Sequence, residues 1–297
     1  MNEPVLACPA PQARLAPWMV YQDPRFLDLL AAHYDWRREV WSGVNALGRP
    51  LPGLGALRAK VWNPEVCGDD WCKALLEAPV GYFDVMSNFA VQVPGVRCIS
   101  SPDLMSMLVD LSGGADAIFE RMESRARKGI RHALREGLTS ACSASADDLT
   151  ALHALLLRVT DGGRKYEVPP LPLLQALQAA GLSRTYVARW GGQVVGGGVC
   201  LGTTISHGFV SGFDAAACKG LPGTLLYYDL LVAEGALGAT HFDLGAQSVQ
   251  DHPGLALAKR AYSPIQIPAY RYLIEPRSAR ARLQRQVLRA AGHAMPR

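Results

Sequence analysis

The stretch "FDAAACKGLPGTLLYYDLLVAEGALGATHFDLGA", from Phe213 to Ala246, concentrates residues that could do chemistry. Its loop "CKGLPG" comes close to a phosphate-cradling loop. In such a loop, glycines let backbone N–H groups converge on an anion, and the following helix adds its positive end. Lys219, Gly220, Gly223 and Thr224 are the candidate anion-binding residues, with the Lys219 and Thr224 side chains as extra hydrogen-bond donors. Pro222 removes one N–H, although it suits the first turn of a helix. Asp243 falls on an otherwise apolar strand, where a carboxylate is costly unless paired. It either orients a reacting group or ties down a loop. His207, on the strand "SHGFVSGFD", is either a base or a structural histidine. Tyr228 and Tyr262 are candidate hydrogen-bond donors or proton relays. Tyr227 and Tyr228, adjacent on one helix, point in different directions, so one of them faces the cleft. Cys200 and Cys218 lie in no segment that resembles a cysteine-enzyme signature.

The elements that must position these groups follow from periodicity and punctuation. "SMLVDLSG" reads as a strand and "ADAIFERMESRARKGIRHALREG" as one helix, with Gly137 at its end. "LTSACSAS" is a strand. "DDLTALHALLLRVTDGG" is a helix with an aspartate cap, and "PLPLLQALQAAG" is another. "RTYVARWGGQVVGGGVCLGTTISHGFVSGFD" holds three strands, turning at Gly191 and Gly192. Beyond "HFDL" come a short helix in "GLALAKRAYS", a strand "IQIPAYRYLI" and a basic helix "RSARARLQRQVLRAAG". The first 100 residues are harder to order. "DPRFLDLLAAHYDW" is a helix with Asp23 as N-cap, "RPLPGLGALRAKVWNP" breaks regular structure, and "APVGYFDVMSNFAVQVPG" holds a short strand. Five of the six tryptophans fall in this part without regular spacing, as core filling does.

The 297 residues are enough for one large domain or two ordinary ones, and the 49% apolar and 19% charged composition is that of a folded globular chain. A net charge of +4 permits an anionic ligand without demanding nucleic acid. The seven cysteines form no CxxC pair, so reduced thiols and no metal site are expected. The N-terminus lacks the pattern of a signal peptide, and no apolar run reaches the ~18 residues of a membrane span. A soluble, cytoplasmic protein without stable membrane insertion is expected.

The order β-α-α-β-β-β-α-β-α-β resembles the GNAT acyltransferase fold, a mixed α/β sheet flanked by helices. Two segments resemble the FemABX-like branch, which includes peptidoglycan-bridge aminoacyltransferases. One is "RMESRARKGIRHALREGL". The other is "LPGTLLYYDLLVAEGALGATHFDLGA" with its Phe-Asp-x-Gly strand, followed by the lysine of "ALAKRAY". The resemblance covers roughly residues 105 to 275. It implies two GNAT-like domains: a reduced, acceptor-shaping one over 1–105 and a catalytic one over 106–297 that includes the basic C-terminal helix.

The resemblance also implies the reaction: attack of an amine on a donor carbonyl, with charge developing on its oxygen. The reacting groups would lie where "SHGFVSGFD" and "THFDLGA" splay apart. Lys259 matches the family's lysine after the Phe-Asp-x-Gly strand, stabilising the oxyanion or a donor phosphate. Of the three defining positions of the usual coenzyme A loop, here Ala217, Gly220 and Pro222, only Gly220 is kept. The donor implied is an acyl thioester, acyl-CoA or a carrier protein; aminoacyl-tRNA is the alternative. For the alternative, Arg125, Lys128, Arg131, Arg282 and Arg285 are candidate contacts to a polyanion. The acceptor would be a small-molecule or peptide amine. A binding protein that keeps the fold without the chemistry is the second alternative.

Overall fold

The computed structural model describes residues 19–51, 55–64, 70–164, 166–202, 204–214, 216–218 and 222–290. In chain order the strands are β1 (Arg37–Trp41), β2 (Val44–Leu51), β3 (Gly55–Trp62), β4 (Tyr82–Ser87), β5 (Val96–Cys98), β6 (Leu104–Asp110), β7 (Thr139–Ser143), β8 (Ser183–Trp190), β9 (Gln193–Leu201), β10 (Ile205–Phe213), β11 (His241–Asp243), β12 (Gln247–Ser248), β13 (Ile265–Pro268) and β14 (Tyr270–Ile274). The helices are α1 (Pro24–Tyr34), α2 (Trp71–Leu76), α3 (Gly114–Arg121), α4 (Ser124–Arg135), α5 (Ala146–Val159), α6 (Leu171–Ala179), α7 (Pro222–Ala236), α8 (Pro253–Arg260) and α9 (Ala279–Ala290). They form two compact units. One holds the described residues up to Ser106 and from Ile267 on, and the other holds Met107–Gln266.

The first unit is built on a sheet in the order β1-β2-β3-β4-β14-β5. The stretch expected to break regular structure is instead the β2–β3 pair, whose register shifts between Arg49 and Pro50. That irregularity is where a proline without an N–H can be tolerated in a sheet. β14 returns from the far end of the sequence to lie between β4 and β5. Its Arg271 donates to buried Asp84 at 2.7 and 2.6 Å. In α9, Arg285 donates to the Gly81 and Pro276 carbonyls, both at 2.9 Å. Residues 267–290 therefore belong to the first unit.

The second unit is built on a sheet whose path is β12-β6-β11-β10-β9-β8-β7. β10 and β11 are parallel, while β8, β9 and β10 form an antiparallel meander. Gly191 and Gly192, both at positive φ, make the β8–β9 turn. On one face α5 buries Leu149, Leu152 and Leu156 against Val187, Val199 and Val210. α7 sets Leu225, Leu226, Leu230 and Leu231 into a separate cluster with Tyr186, Val195 and Phe242. Each fully buried leucine contributes about 2 kcal/mol of apolar burial. Leu152 stands so close to β9 that a Cβ on Gly197 would lie 2.6 Å from its Cδ1.

Three local expectations are corrected. The single helix expected from Ala115 breaks at Met122 and Glu123, which are extended. The freed backbone groups find tertiary partners: Glu123 N donates to Ala261 O at 3.0 Å, and Ser263 Oγ to Arg121 O at 2.5 Å. α5 is capped by Ser145, whose Oγ accepts from the Asp147 and Asp148 amides. Asp148 instead pairs with Arg189. The last predicted strand is interrupted at Ala269 to give β13 and β14.

Candidate active site

The pairing of β10 with β11 is short. Ile205, Ser206 and His207 face His241, Phe242 and Asp243; β11 then ends, while β10 runs on to Phe213. The last pair before the strands part is His207–Asp243, in register on adjacent parallel strands, so both side chains leave the same face. His207 Nδ1 lies 3.0 Å from Asp243 Oδ2. The other carboxylate oxygen accepts from Gly245 N at 2.7 Å. Gly245, at φ +82°, makes that turn possible. A carboxylate oxygen accepts, so this contact is served by a proton on Nδ1. Beyond His207, the β9–β10 register shifts between Gly208 and Val210, a bulge that re-aims the outer part of β10.

α8 brings up Lys259. Its Nζ donates to Gly245 O at 3.2 Å. Burial lowers its pKa from 10.5 to about 8, with the Asp243 charge opposing the shift. Asp243, His207 and Lys259 therefore form one assembly around the end of β11.

A hydroxyl cluster occupies the end of β10 and the start of α7. Tyr227 Oη is 2.9 Å from Ser211 Oγ, and Tyr166 Oη donates to Ser211 O at 2.6 Å. The rings of Tyr227 and Tyr262 lie 5.4 Å apart, and the Tyr262 hydroxyl bonds the Thr224 side chain. Burial raises the pKa of both tyrosines, so they stay protonated. Tyr228, the residue favoured from sequence, packs edge-on against Phe119 of α3 at 5.6 Å. Tyr227 stands with the cluster in its place, as the divergence of neighbouring helical residues requires. Gly223 lies in the first turn of α7, where a Cβ would meet the Phe213 ring at 3.2 Å. Lys219 and Gly220 lie outside the described residues.

The basic candidates separate. Lys128 and Arg131 are exposed on α4, with Arg131 also over the Phe119 ring at 5.1 Å. Arg125 is held by Glu123 at 2.7 Å and by the Leu257 carbonyl. Arg282 is exposed on α9. Arg285, only 12% exposed, is committed to backbone carbonyls and is not a surface contact.

The sequence reading missed Glu234. This fully buried α7 carboxylate accepts from Arg184 Nε at 2.6 Å, Tyr186 Oη at 2.7 Å and Cys200 Sγ at 3.2 Å, and also from Ser206 Oγ. Arg184 holds its pKa below the usual carboxylate value against the opposing effect of burial. The network ties α7 to β8, β9 and β10, one residue from His207. Its signal was available: Glu234 within "LLVAEGALGA" and Arg184 ahead of the run "TYVARW" are charges in apolar company, the argument applied to Asp243. Cys200 is kept protonated by burial and by Glu234, so it is no ready nucleophile. Among the described residues, no group of three His, Cys, Asp or Glu could hold a metal ion, and no helix is long and apolar enough to cross a membrane.

Residues 120–252 match the Acetyltransferase (GNAT) domain family. The fold is similar to a crystal structure of FemX over 97% of this chain and 99% of that one, with TM-score 0.68 and 12% identity. It is also similar to L-PGS from Bacillus licheniformis (98% and 100% coverage, TM-score 0.57, 17% identity). A third similar structure is the C-terminal domain of a putative lysylphosphatidylglycerol synthetase from Agrobacterium fabrum (97% and 99% coverage, TM-score 0.56, 16% identity). Among curated proteins, none matches the sequence. Residues 120–252 are thus similar to a GNAT acetyltransferase domain, and the chain shares its fold with FemX and L-PGS.

Proposed function

We propose that the protein transfers an acyl group from a thioester donor, acyl-CoA or a carrier-protein thioester, to the amine of a small-molecule or peptide acceptor. The observation that carries this reading is the His207–Asp243 pair beside Lys259 where β10 and β11 part. Asp243 holds Nδ1–H, so Nε2 of His207 takes the proton that the attacking amine loses. The Lys259 ammonium stabilises the negative charge that develops on the carbonyl oxygen. Tyr262, Thr224 and Tyr227 supply neutral donors for the carbonyl or the departing thiolate. Collapse of the tetrahedral intermediate breaks the C–S bond and leaves an amide. Acyl thioesters are cytoplasmic metabolites, so a cytoplasmic site of action fits this chemistry.

A second reading replaces the thioester with aminoacyl-tRNA. It is favoured by the whole-chain likeness to FemX and to lysylphosphatidylglycerol synthetase, and by exposed Lys128 and Arg131. Thermal unfolding with coenzyme A, acyl-CoAs and a charged tRNA pool separates the two. Ligand at ~100 times its dissociation constant adds roughly 2.7 kcal/mol. Stabilisation by the coenzyme is expected; stabilisation by charged tRNA alone selects the second reading. With the donor found, Asp243→Asn should lower turnover by about 100-fold or more while the protein stays folded. An unchanged rate would remove His207 and Asp243 from the mechanism.

A further inference from the structure

β10 changes face part-way along. Gly208 stands opposite Cys200 of β9 and Val210 opposite Val199, so Phe209 is the extra residue of the bulge. Cys200 and Val199 point to opposite sides of the sheet: Cys200 Sγ donates to Glu234 of α7, whereas Val199 packs in the cluster with the α5 leucines. The bulge therefore turns Ser211 to the α7 side, where Ser206 already lies, although strand positions five apart normally face opposite ways. α7 meets both serines. Ser206 Oγ donates to Glu234, and Ser211 Oγ lies 2.9 Å from Tyr227 Oη. Tyr227 and Glu234 are seven residues apart on α7, about two turns, and so share its sheet-facing side. The two contacts fasten β10 on either side of its bulge, and His207 lies between them.

Stability alone does not account for Glu234. Leu225, Leu226, Leu230 and Leu231 already seat α7 on the sheet. An apolar residue of similar volume in place of a buried ion pair often leaves stability unchanged or raised. What the carboxylate adds is direction. It accepts from Arg184 Nε and Nη2, Tyr186 Oη, Cys200 Sγ and Ser206 Oγ, groups that come from β8, β9 and β10, so one side chain fixes three strands against α7. Ser206 links this network to the candidate site. It is fully buried, and the next residue, His207, turns to the other face to meet Asp243. At His207 the ladder to β11 ends and the ladder to β9 is about to shift, so neither neighbouring strand holds it from both sides.

We propose that Glu234 is a positioning residue for His207: through the Ser206 hydroxyl it holds β10 where the imidazole meets Asp243. The consequence for turnover rests on the acyl-transfer reading, whereas the placement of His207 does not.

The test sets Ser206→Ala beside Thr185→Val in the full chain. Each variant loses one fully buried hydroxyl of the same sheet, but Thr185 donates to Gln178 at 2.8 Å, outside the Glu234 network. With histidine labelled in nitrogen-15, the Nδ1–H shared with Asp243 is followed by NMR as an imidazole proton slow to exchange with water, assigned by its loss in His207→Gln. Its exchange should be about fivefold faster or more in Ser206→Ala, the factor that one lost hydrogen bond gives, and unchanged in Thr185→Val. Glu234→Gln should act in the same direction; Ser206→Ala carries the test if the glutamine impairs folding, and thermal unfolding checks each variant. With the donor found, Ser206→Ala should lower kcat about tenfold and leave KM within about twofold, since a misplacement of ~1 Å can cost ~100-fold. Equal exchange in wild type and Ser206→Ala overturns the proposal. So does equal acceleration in Ser206→Ala and Thr185→Val, which would make the effect one of stability, or a wild type without a protected His207 N–H. Full turnover in His207→Gln would instead remove the acyl-transfer reading and leave the exchange result standing.

Discussion

Replacing Lys259 with methionine removes a charge from a half-buried position while keeping most of its apolar stem. In the native protein, burial shifts this ammonium from an ordinary pKa of 10.5 to about 8. Below pH 8 the lysine is charged in both folded and unfolded chains, and the folded protein carries its full desolvation cost. Between pH 8 and 10.5 the unfolded chain holds a proton that the folded one has released, so stability rises with pH. Over that window the displacement corresponds to about 3 kcal/mol at most. Urea unfolding of wild type and Lys259→Met from pH 7 to 10.5 isolates this contribution, because distant titrations cancel in the difference. The wild type should gain on the variant as pH rises. Since Asp243 opposes the shift, Asp243→Asn should start the gain at a lower pH. A difference that stays flat across the range would show that the lysine remains charged, and would refute the burial argument.

Three further outcomes follow from named contacts. Glu234→Gln leaves Arg184, 27% exposed, without its ionic partner and should cost about 3 kcal/mol in urea unfolding at pH 7. Because the folded pKa of Glu234 is lowered, that deficit is present above its ordinary value of 4.5 and should shrink as pH falls through the folded value. Gly197→Ala forces a Cβ to within 2.6 Å of Leu152 and 2.7 Å of the Tyr186 carbonyl, and should lower stability by about 2 kcal/mol by thermal melting. Tyr227→Phe gives up the hydroxyl contact with Ser211 and should cost about 1 kcal/mol, whereas Tyr228→Phe keeps its ring contact with Phe119 and should leave stability unchanged.

Much of the second unit was legible because its signals are local. The apolar run of β10, the glycine pair between β8 and β9 and the Pro-led start of α7 specify their elements within a few residues. The first unit was less so. β2 and β3 carry Pro50 and Gly55, which read as breakers, and the sheet that accommodates them is completed by β14 from more than 180 residues away. No window of sequence contains both halves of that pairing.

The same division runs through the site. The sequence by itself determined that a carboxylate at Asp243 had to be accounted for, since a charge on an otherwise apolar strand is costly unless paired, whereas Lys259 was marked only by resemblance. It also determined that Tyr227 and Tyr228 could not share one face. Which tyrosine joins Tyr262, that His207 stands in register with Asp243, and that Glu234 closes a buried network with Arg184 were decided only by the tertiary structure. Strand register, a bulge at Gly208 and the helix break at Met122 set which side chains meet, and each depends on partners distant along the chain.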